Sequence, residues 1–284
     1  MTHEFLCPGR EESSLSRGAA ALGAEVFSEP SVLLEGAVRN QKEYKSAFLR
    51  LPPGFPAELT DFGQKFRIDG GMAVPGKMPF QKPEALAEFL RKNQSLRIGK
   101  IVLESLKRSK LTTVHSPVIL SFYAPFSLAA ALTDSFLLYR MMNHSSESVA
   151  LLHEILSRIT VLLSDYAIDG LACGADILSL ADPYGNLELV GGKCYREFSG
   201  KYSAMLLKRL EPELGAALVH LCGKTALSLE KTGFMRATES REEPPAPYAR
   251  ILIKSLRKEP SFLGYGCIHC EESLNDRFWV MHLS

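Results

Sequence analysis

The chain of 284 residues has almost no net charge: 33 Lys and Arg stand against 32 Asp and Glu, leaving +1. A chain without a basic field has little with which to hold a phosphate backbone or an anionic membrane surface, so nucleic-acid and membrane-surface binding are not expected. It also lacks an apolar run near the roughly 18 residues of a membrane span. The longest, Pro117 to Leu132, is broken by Ser121, Pro125 and Ser127. The start, Met1-Thr-His-Glu-Phe-Leu-Cys-Pro-Gly-Arg10, has no basic stretch leading into an apolar core. A secretory leader is therefore not expected, and the chain reads as cytoplasmic.

In a reducing compartment six cysteines do not read as a disulfide framework; they are packing residues, nucleophiles or metal ligands. Cys173 at the end of an apolar-periodic helix and Cys194 at the start of another read as packing. Cys7 lies in a polar stretch with no context. Cys222, Cys267 and Cys270 stand in a different setting.

What is present is a regular alternation beyond residue 80. Pro83 opens one helix, and Leu96 to Leu106 carries the apolar face of a second. Ser116–Phe122, Asp176–Leu180, Ala216–Cys222 and Ser261–Gly266 read as short buried strands. Between them lie predicted helices over Ser127–Met142, Ser146–Cys173, Lys193–Leu210, a short one ending near Gly233, and Tyr248–Leu256. A further short strand is read at Phe234–Ala237, Arg241–Pro247 reads as a loop, and Glu271–His282 reads as a closing helix. Continuous apolar strands separated by helices indicate an α/β fold with a parallel sheet covered by helices. The pattern does not distinguish a closed barrel from an open sheet. Residues 1–80 are irregular, with a short helix over Ser13–Ala24 and Pro- and Gly-rich loops, and the whole is read as one domain.

Two strand ends carry chemistry. His220-Leu-Cys222 sends an imidazole and a thiol to one face of a strand, because residues i and i+2 share a face. That strand stops at Gly223, so both groups sit at its C-terminal end, where parallel α/β proteins place their sites. Imidazole and thiolate suit zinc. The bland alternative is a buried cysteine beside a satisfied core histidine. Gly264-Tyr-Gly-Cys-Ile-His-Cys270 follows the next strand and offers Cys267 or Cys270 to the same mouth. Asp182, ending another strand before Pro183, reads as a substrate-orienting group or a turn cap. Tyr123, Tyr184 and Tyr265 fall in strand-end loops and read as pocket lining or as packing.

Pro117-Val-Ile-Leu-Ser-Phe-Tyr-Ala-Pro-Phe-Ser-Leu-Ala129, Gly174-Ala-Asp-Ile-Leu-Ser-Leu-Ala-Asp-Pro183 and His220-Leu-Cys-Gly-Lys-Thr225 together resemble the uroporphyrinogen decarboxylase-like superfamily. Within it they are similar to the zinc-dependent methylcobamide:coenzyme M methyltransferase branch. The resemblance runs from Pro117 to the C-terminus and implies a (β/α) TIM-type barrel, shortened because too little chain separates Gly233 from Cys267 for two full strand–helix units. It implies zinc on His220, Cys222 and Cys267, with Asp182 in a catalytic or orienting role and Tyr123 and Tyr184 at the cofactor. It further implies a corrinoid protein as partner and methyl donor, methylcobalamin or its corrinoid as co-substrate, and a small thiol or tetrahydrofolate as acceptor. The arginine-rich N-terminal motif of the decarboxylases is missing, since Pro8-Gly-Arg-Glu-Glu12 does not reproduce it. A decarboxylase-like enzyme of porphyrin biosynthesis, and a degenerate barrel with a closed structural zinc site that includes Cys270, are the alternatives.

Overall fold

A computed structural model describes residues 15–112, 116–256, 262–270 and 272–284. Cys7 lies outside them. The described residues form nine strands: β1 (Leu49–Leu51), β2 (Phe66–Asp69), β3 (Met72–Pro75), β4 (Val118–Tyr123), β5 (Ile177–Ala181), β6 (Leu218–Leu221), β7 (Met235–Pro247), β8 (Phe262–Gly264) and β9 (Leu274–Leu283). Seven of them form one sheet in the order β1-β4-β5-β6-β8-β9-β7, and β2 with β3 makes a separate hairpin. The first five strands of the sheet run parallel; β9 is antiparallel to β8, and β7 to β9. Among the described residues no pairing joins the β7 edge back to β1. The architecture is thus the α/β sheet that the strand–helix alternation predicts, of the TIM type that the resemblance implies, shortened in its last third, where the long antiparallel β7–β9 pair stands in place of strand–helix units.

The predicted strands and helices from Pro83 to Leu256 recur with small shifts in their ends. Two predicted helices are each divided. Ser127–Met142 becomes Pro125–Leu132 and Ser135–Met141, the second capped by the Asp134 carboxylate on the Phe136 N–H. Lys193–Leu210 becomes Leu187–Glu197 and Ser199–Leu210, with Phe198 non-helical between them. The N-terminal part is more regular than its sequence suggests: Pro30–Tyr44 is a helix begun by proline, and β1 is a full member of the sheet.

Two expectations at the C-terminal end are corrected. The segment read as a closing helix over Glu271–His282 is strand β9, and the loop read over Arg241–Pro247 belongs to β7. β7 pairs with β9 from Met235↔Leu283 to Arg241↔Arg277, then resumes at Ala246↔Asn275 after a register shift. Pro244 and Pro245 fall inside that shift, where the missing N–H groups break no ladder bond.

Parallel strands are apolar on both faces and both must be covered. The outer face, with Leu120, Phe122, Leu178, Leu180, Val219 and Leu221, packs into the main core under the long helix Ser146–Ala172 and its neighbours. Gly170 on that helix permits the contact, because a Cβ there would stand 2.3 Å from Leu120 Cδ2. The face that a complete barrel turns inward carries Phe48, Ile119, Ile177, Leu218, Leu263 and Val280. Helix Tyr248–Ser255 covers it with Tyr248, Ala249, Ile251 and Leu252, all buried. No helix among the described residues is long and apolar enough to cross a membrane.

Because Leu252 is fully buried in this inner cluster, Leu252→Ala should lower the free energy of unfolding by about 2–5 kcal/mol in urea titrations. A change below about 1 kcal/mol would show that the helix does not serve as the inner cover.

Candidate metal centre

On the inner face the strands carry rows of matched residues, and the rows change character toward the C-terminal mouth. Ile119, Ile177 and Leu218 pair side by side and are apolar. The next row, two residues on, is Ser121, Ser179 and His220, continued by Leu263 and Val280 on the antiparallel side. Tyr123 and Ala181 begin a third row. An apolar floor under a hydroxyl- and imidazole-bearing layer is what a site at the strand ends requires.

His220 is 1% exposed. Its Nδ1 lies 3.0 Å from Ser179 Oγ and its Nε2 3.3 Å from the Gly266 carbonyl. Burial lowers its pKa to about 4, against the opposing pull of the Gly266 carbonyl. The imidazole is therefore neutral at neutral pH, the form that binds metals. Cys222 follows with extended backbone (φ −49°, ψ 143°), its N–H still bonded to the Leu180 carbonyl at 3.0 Å, and it is the N-cap of helix Gly223–Lys231. A helix N-terminus favours a thiolate.

Cys267 arrives from the turn after β8. Gly266 is essential to that turn: a Cβ there would stand 2.0 Å from the Tyr248 ring, so only glycine lets the ring lie against the backbone. Tyr248 in turn packs edge-on to His220, with ring centroids 5.9 Å apart. Burial pushes the Tyr248 hydroxyl pKa upward, and so do the neighbouring Cys267 and Cys222 thiols. His220 and Cys267 thus both border Tyr248: the imidazole packs against its ring, and Cys267 lines one cavity with it. Cys270 ends a short 3-10 turn, its N–H bonded to the Cys267 carbonyl at 3.0 Å, and lines a cavity of about 190 Å³ together with Cys267, Tyr248 and Trp279. It does not start a closing helix, because β9 follows instead.

No three His, Cys, Asp or Glu side chains among the described residues are gathered closely enough to form a metal cluster. The donor set nonetheless fits zinc by its chemistry: a neutral buried imidazole, one thiol at a helix N-terminus and a second beside the same tyrosine. His220 would hold a metal through Nε2, with its Nδ1–H donating to Ser179 Oγ, the kind of outer hydrogen bond that orients a histidine ligand.

The other sequence-derived candidates fall elsewhere. Asp182 is 2% exposed and, two residues past Leu180, faces the outer side. Its carboxylate accepts from Ser127 Oγ at 2.5 Å, from Ser199 Oγ and from the Gly185 N–H. Its own N–H donates to Thr225 Oγ1 at 3.0 Å. Asp182 therefore ties together the first turns of the helices starting at Pro125, Ser199 and Gly223, and is not brought to His220. Tyr123 and Tyr184 do meet at the mouth, edge to face at 6.5 Å, with Tyr184 39% exposed. Tyr265 turns to Glu230 and stacks at a tilt on Trp279.

Sequence reasoning missed Ser179, Tyr248 and Arg50. Arg50 on β1 donates to His269 Nδ1 at 3.1 Å and to the Ile268 carbonyl, linking the first strand to the turn after β8. A hydroxyl inside Ile177-Leu-Ser-Leu180 at the position opposite His220 was the legible signal for Ser179. Nothing local marks Tyr248.

The depressed His220 pKa sets an acid limit on the metal-free protein. The unfolded chain takes up this proton near pH 6.5 and the folded one only near 4. Stability should be complete above 6.5 and fall by about 3 kcal/mol between 6.5 and 4. Urea midpoints across that window should fall more steeply for the native protein than for His220→Asn; parallel curves would refute the assignment.

A family model described as uroporphyrinogen decarboxylase (URO-D) matches residues 22–238. Two curated relatives, the methylcobamide:CoM methyltransferases MtbA of Methanosarcina acetivorans and Methanosarcina mazei, are each 27% identical over 148 residues. That stretch is 50% of this chain and 42% of each relative, so the match spans less than half of their length. Among solved structures, a methyltransferase from Methanosarcina mazei superposes with a TM-score of 0.56 at 19% identity, over 78% of this chain and 68% of that one. With its parallel strands, inner polar row and this match over most of its length, the chain belongs to the uroporphyrinogen decarboxylase (URO-D) family.

Proposed function

We propose that this chain is a zinc-dependent methyltransferase that moves a methyl group from a methylated corrinoid, delivered by a corrinoid protein, to a small thiol. The observation that carries the proposal is His220, buried and neutral with Ser179 on its Nδ1 and Tyr248 against its ring, two residues before Cys222 and with its Nε2 at the Gly266 carbonyl that precedes Cys267. The named relatives, methylcobamide:CoM methyltransferases, support the same chemistry over the stretch that they share.

Zinc held by His220, Cys222 and Cys267 would supply a Lewis acid that lowers the pKa of a thiol substrate and so makes it nucleophilic at neutral pH. Overall, the thiol sulfur takes the methyl group, the cobalt–carbon bond breaks with its electron pair left on cobalt, and the thiol proton goes to solvent. This chain's residues bind and position. Ser179 holds the imidazole plane. The apolar row of Ile119, Ile177 and Leu218, with the helix beneath it, keeps water from entering below the site. Tyr123 and Tyr184, paired at the open end, offer flat aromatic surface to the incoming corrinoid. Asp182 anchors three helix starts around the mouth and so positions the strand ends rather than touching substrate.

A decarboxylase acting on a substrate with many carboxylates requires several cations. Arg50, on the inner face, is engaged with Ile268 and His269.

About one zinc per chain is expected by elemental analysis, lost in His220→Ala and Cys222→Ala while circular dichroism stays near native, because both cores form without it. Methylcobalamin with a panel of small thiols should lose its methyl-cobalt absorption and gain that of the reduced corrinoid, with negligible conversion of uroporphyrinogen. Absence of zinc after reconstitution would remove the proposal; decarboxylation at enzyme-like rates would replace it.

The third ligand is Cys267, since it directly follows Gly266, whose carbonyl lies 3.3 Å from His220 Nε2. Cys267→Ser should weaken zinc binding at least tenfold, on the order of a lost ligand or outer-sphere partner, and Cys270→Ser only slightly. Equal large losses would indicate a closed four-ligand site.

A further inference from the structure

Tyr248 is a buried polar group that the proposed chemistry leaves unused. It is 3% exposed, and its hydroxyl has no hydrogen-bond partner among the described residues. Leaving a buried hydroxyl unsatisfied costs on the order of 1–3 kcal/mol, so a phenylalanine would suit the packing better. The ring is not loosely placed. It is the first residue of helix Tyr248–Ser255, its N–H donates to the Ser273 carbonyl at 3.1 Å, and it lies against Gly266, where no Cβ fits. It stands edge-on to His220 and lines the cavity of about 190 Å³ that Cys267 and Cys270 also line. Cys267 directly follows Gly266, so the orphaned donor and this thiol share one cavity beside His220.

We infer that Tyr248 is a positioning residue of the metal centre, its Oη–H donating a hydrogen bond to the Cys267 thiolate once that sulfur is a ligand. This rests on the proposed zinc site. A ligand cysteine must be deprotonated, and a sulfur anion is a stronger acceptor than a thiol, as hydrogen bonds to charged acceptors generally are. The interaction orients the sulfur, as outer partners orient other ligands, and, being donated to the ligand atom itself, draws electron density from it and reduces its donation to the metal. The helix that covers the inner face thus also completes the site through its first residue.

Tyr248→Phe in the full chain tests this, because it deletes only the hydroxyl. Zinc affinity, read by competition with a chromophoric chelator, should fall about tenfold, the lower range for an outer-sphere partner. In the cobalt(II)-loaded protein the thiolate-to-metal charge-transfer band should move to lower energy, since the sulfur donates more freely. The metal-free variant should melt no lower than the native protein, because an unsatisfied buried hydroxyl has been removed. An unchanged zinc affinity, an unmoved cobalt band, or a metal-free melting temperature that falls along with affinity would each overturn the inference and leave the zinc site standing. A native protein that binds neither metal removes the zinc site, and the inference with it.

Discussion

An incomplete barrel leaves the inner face of its parallel strands uncovered, and this structure depends on how that face is covered. Ile119, Ile177 and Leu218 are as apolar as the outward residues between them, so exposure to water is not a stable option. Helix Tyr248–Ser255 supplies the cover from within the segment that, in a full barrel, would build further strand–helix units. The antiparallel β7–β9 pair then extends the sheet at its far edge, and Arg50 ties β1 to the turn after β8.

Covering the inner face by a helix also decides the site. The helix packs on the lower row and on Leu263 and Val280 of the next, while Ser179 and His220 give that second row its polar groups below the strand ends. The first residue of the helix, Tyr248, projects to that level and meets Gly266, so that Cys267 comes to line the same cavity as its ring. On the outer side, Asp182 performs the complementary work. Its buried carboxylate satisfies two serine hydroxyls and a backbone N–H at the helix starts, which fixes the strand ends from outside. Two polar clusters, one on each face, thus hold the same rim.

The misread segments share one physical cause. Leu274, Phe278 and Met281 recur at helical spacing, but Phe278, Val280 and His282 also alternate, and only the presence of β7 and β8 as partners selects the extended form. Arg241–Pro247 is charged and rich in proline, which reads as a loop; its prolines are tolerated because the ladder shifts register where they lie. Phe198, which divides a predicted helix, carries no breaker of its own, and the break comes from seating Ser199 at Asp182.

The sequence by itself determined the alternating strands and helices, the strand ends at which His220, Cys222 and Cys267 stand, and the family resemblance, since these rest on local periodicity and short spacings. It also carried the shortage of chain before Cys267 that leaves the barrel short. What only the tertiary structure decided is how that shortage is met: a helix seated on the inner face, an antiparallel strand pair in place of the last units, Asp182 turned outward to the helix starts, and Tyr248 brought against Gly266 in the cavity that Cys267 lines. Those are contacts between residues distant in the chain, chosen by which apolar face remained uncovered, and no local pattern encodes that choice.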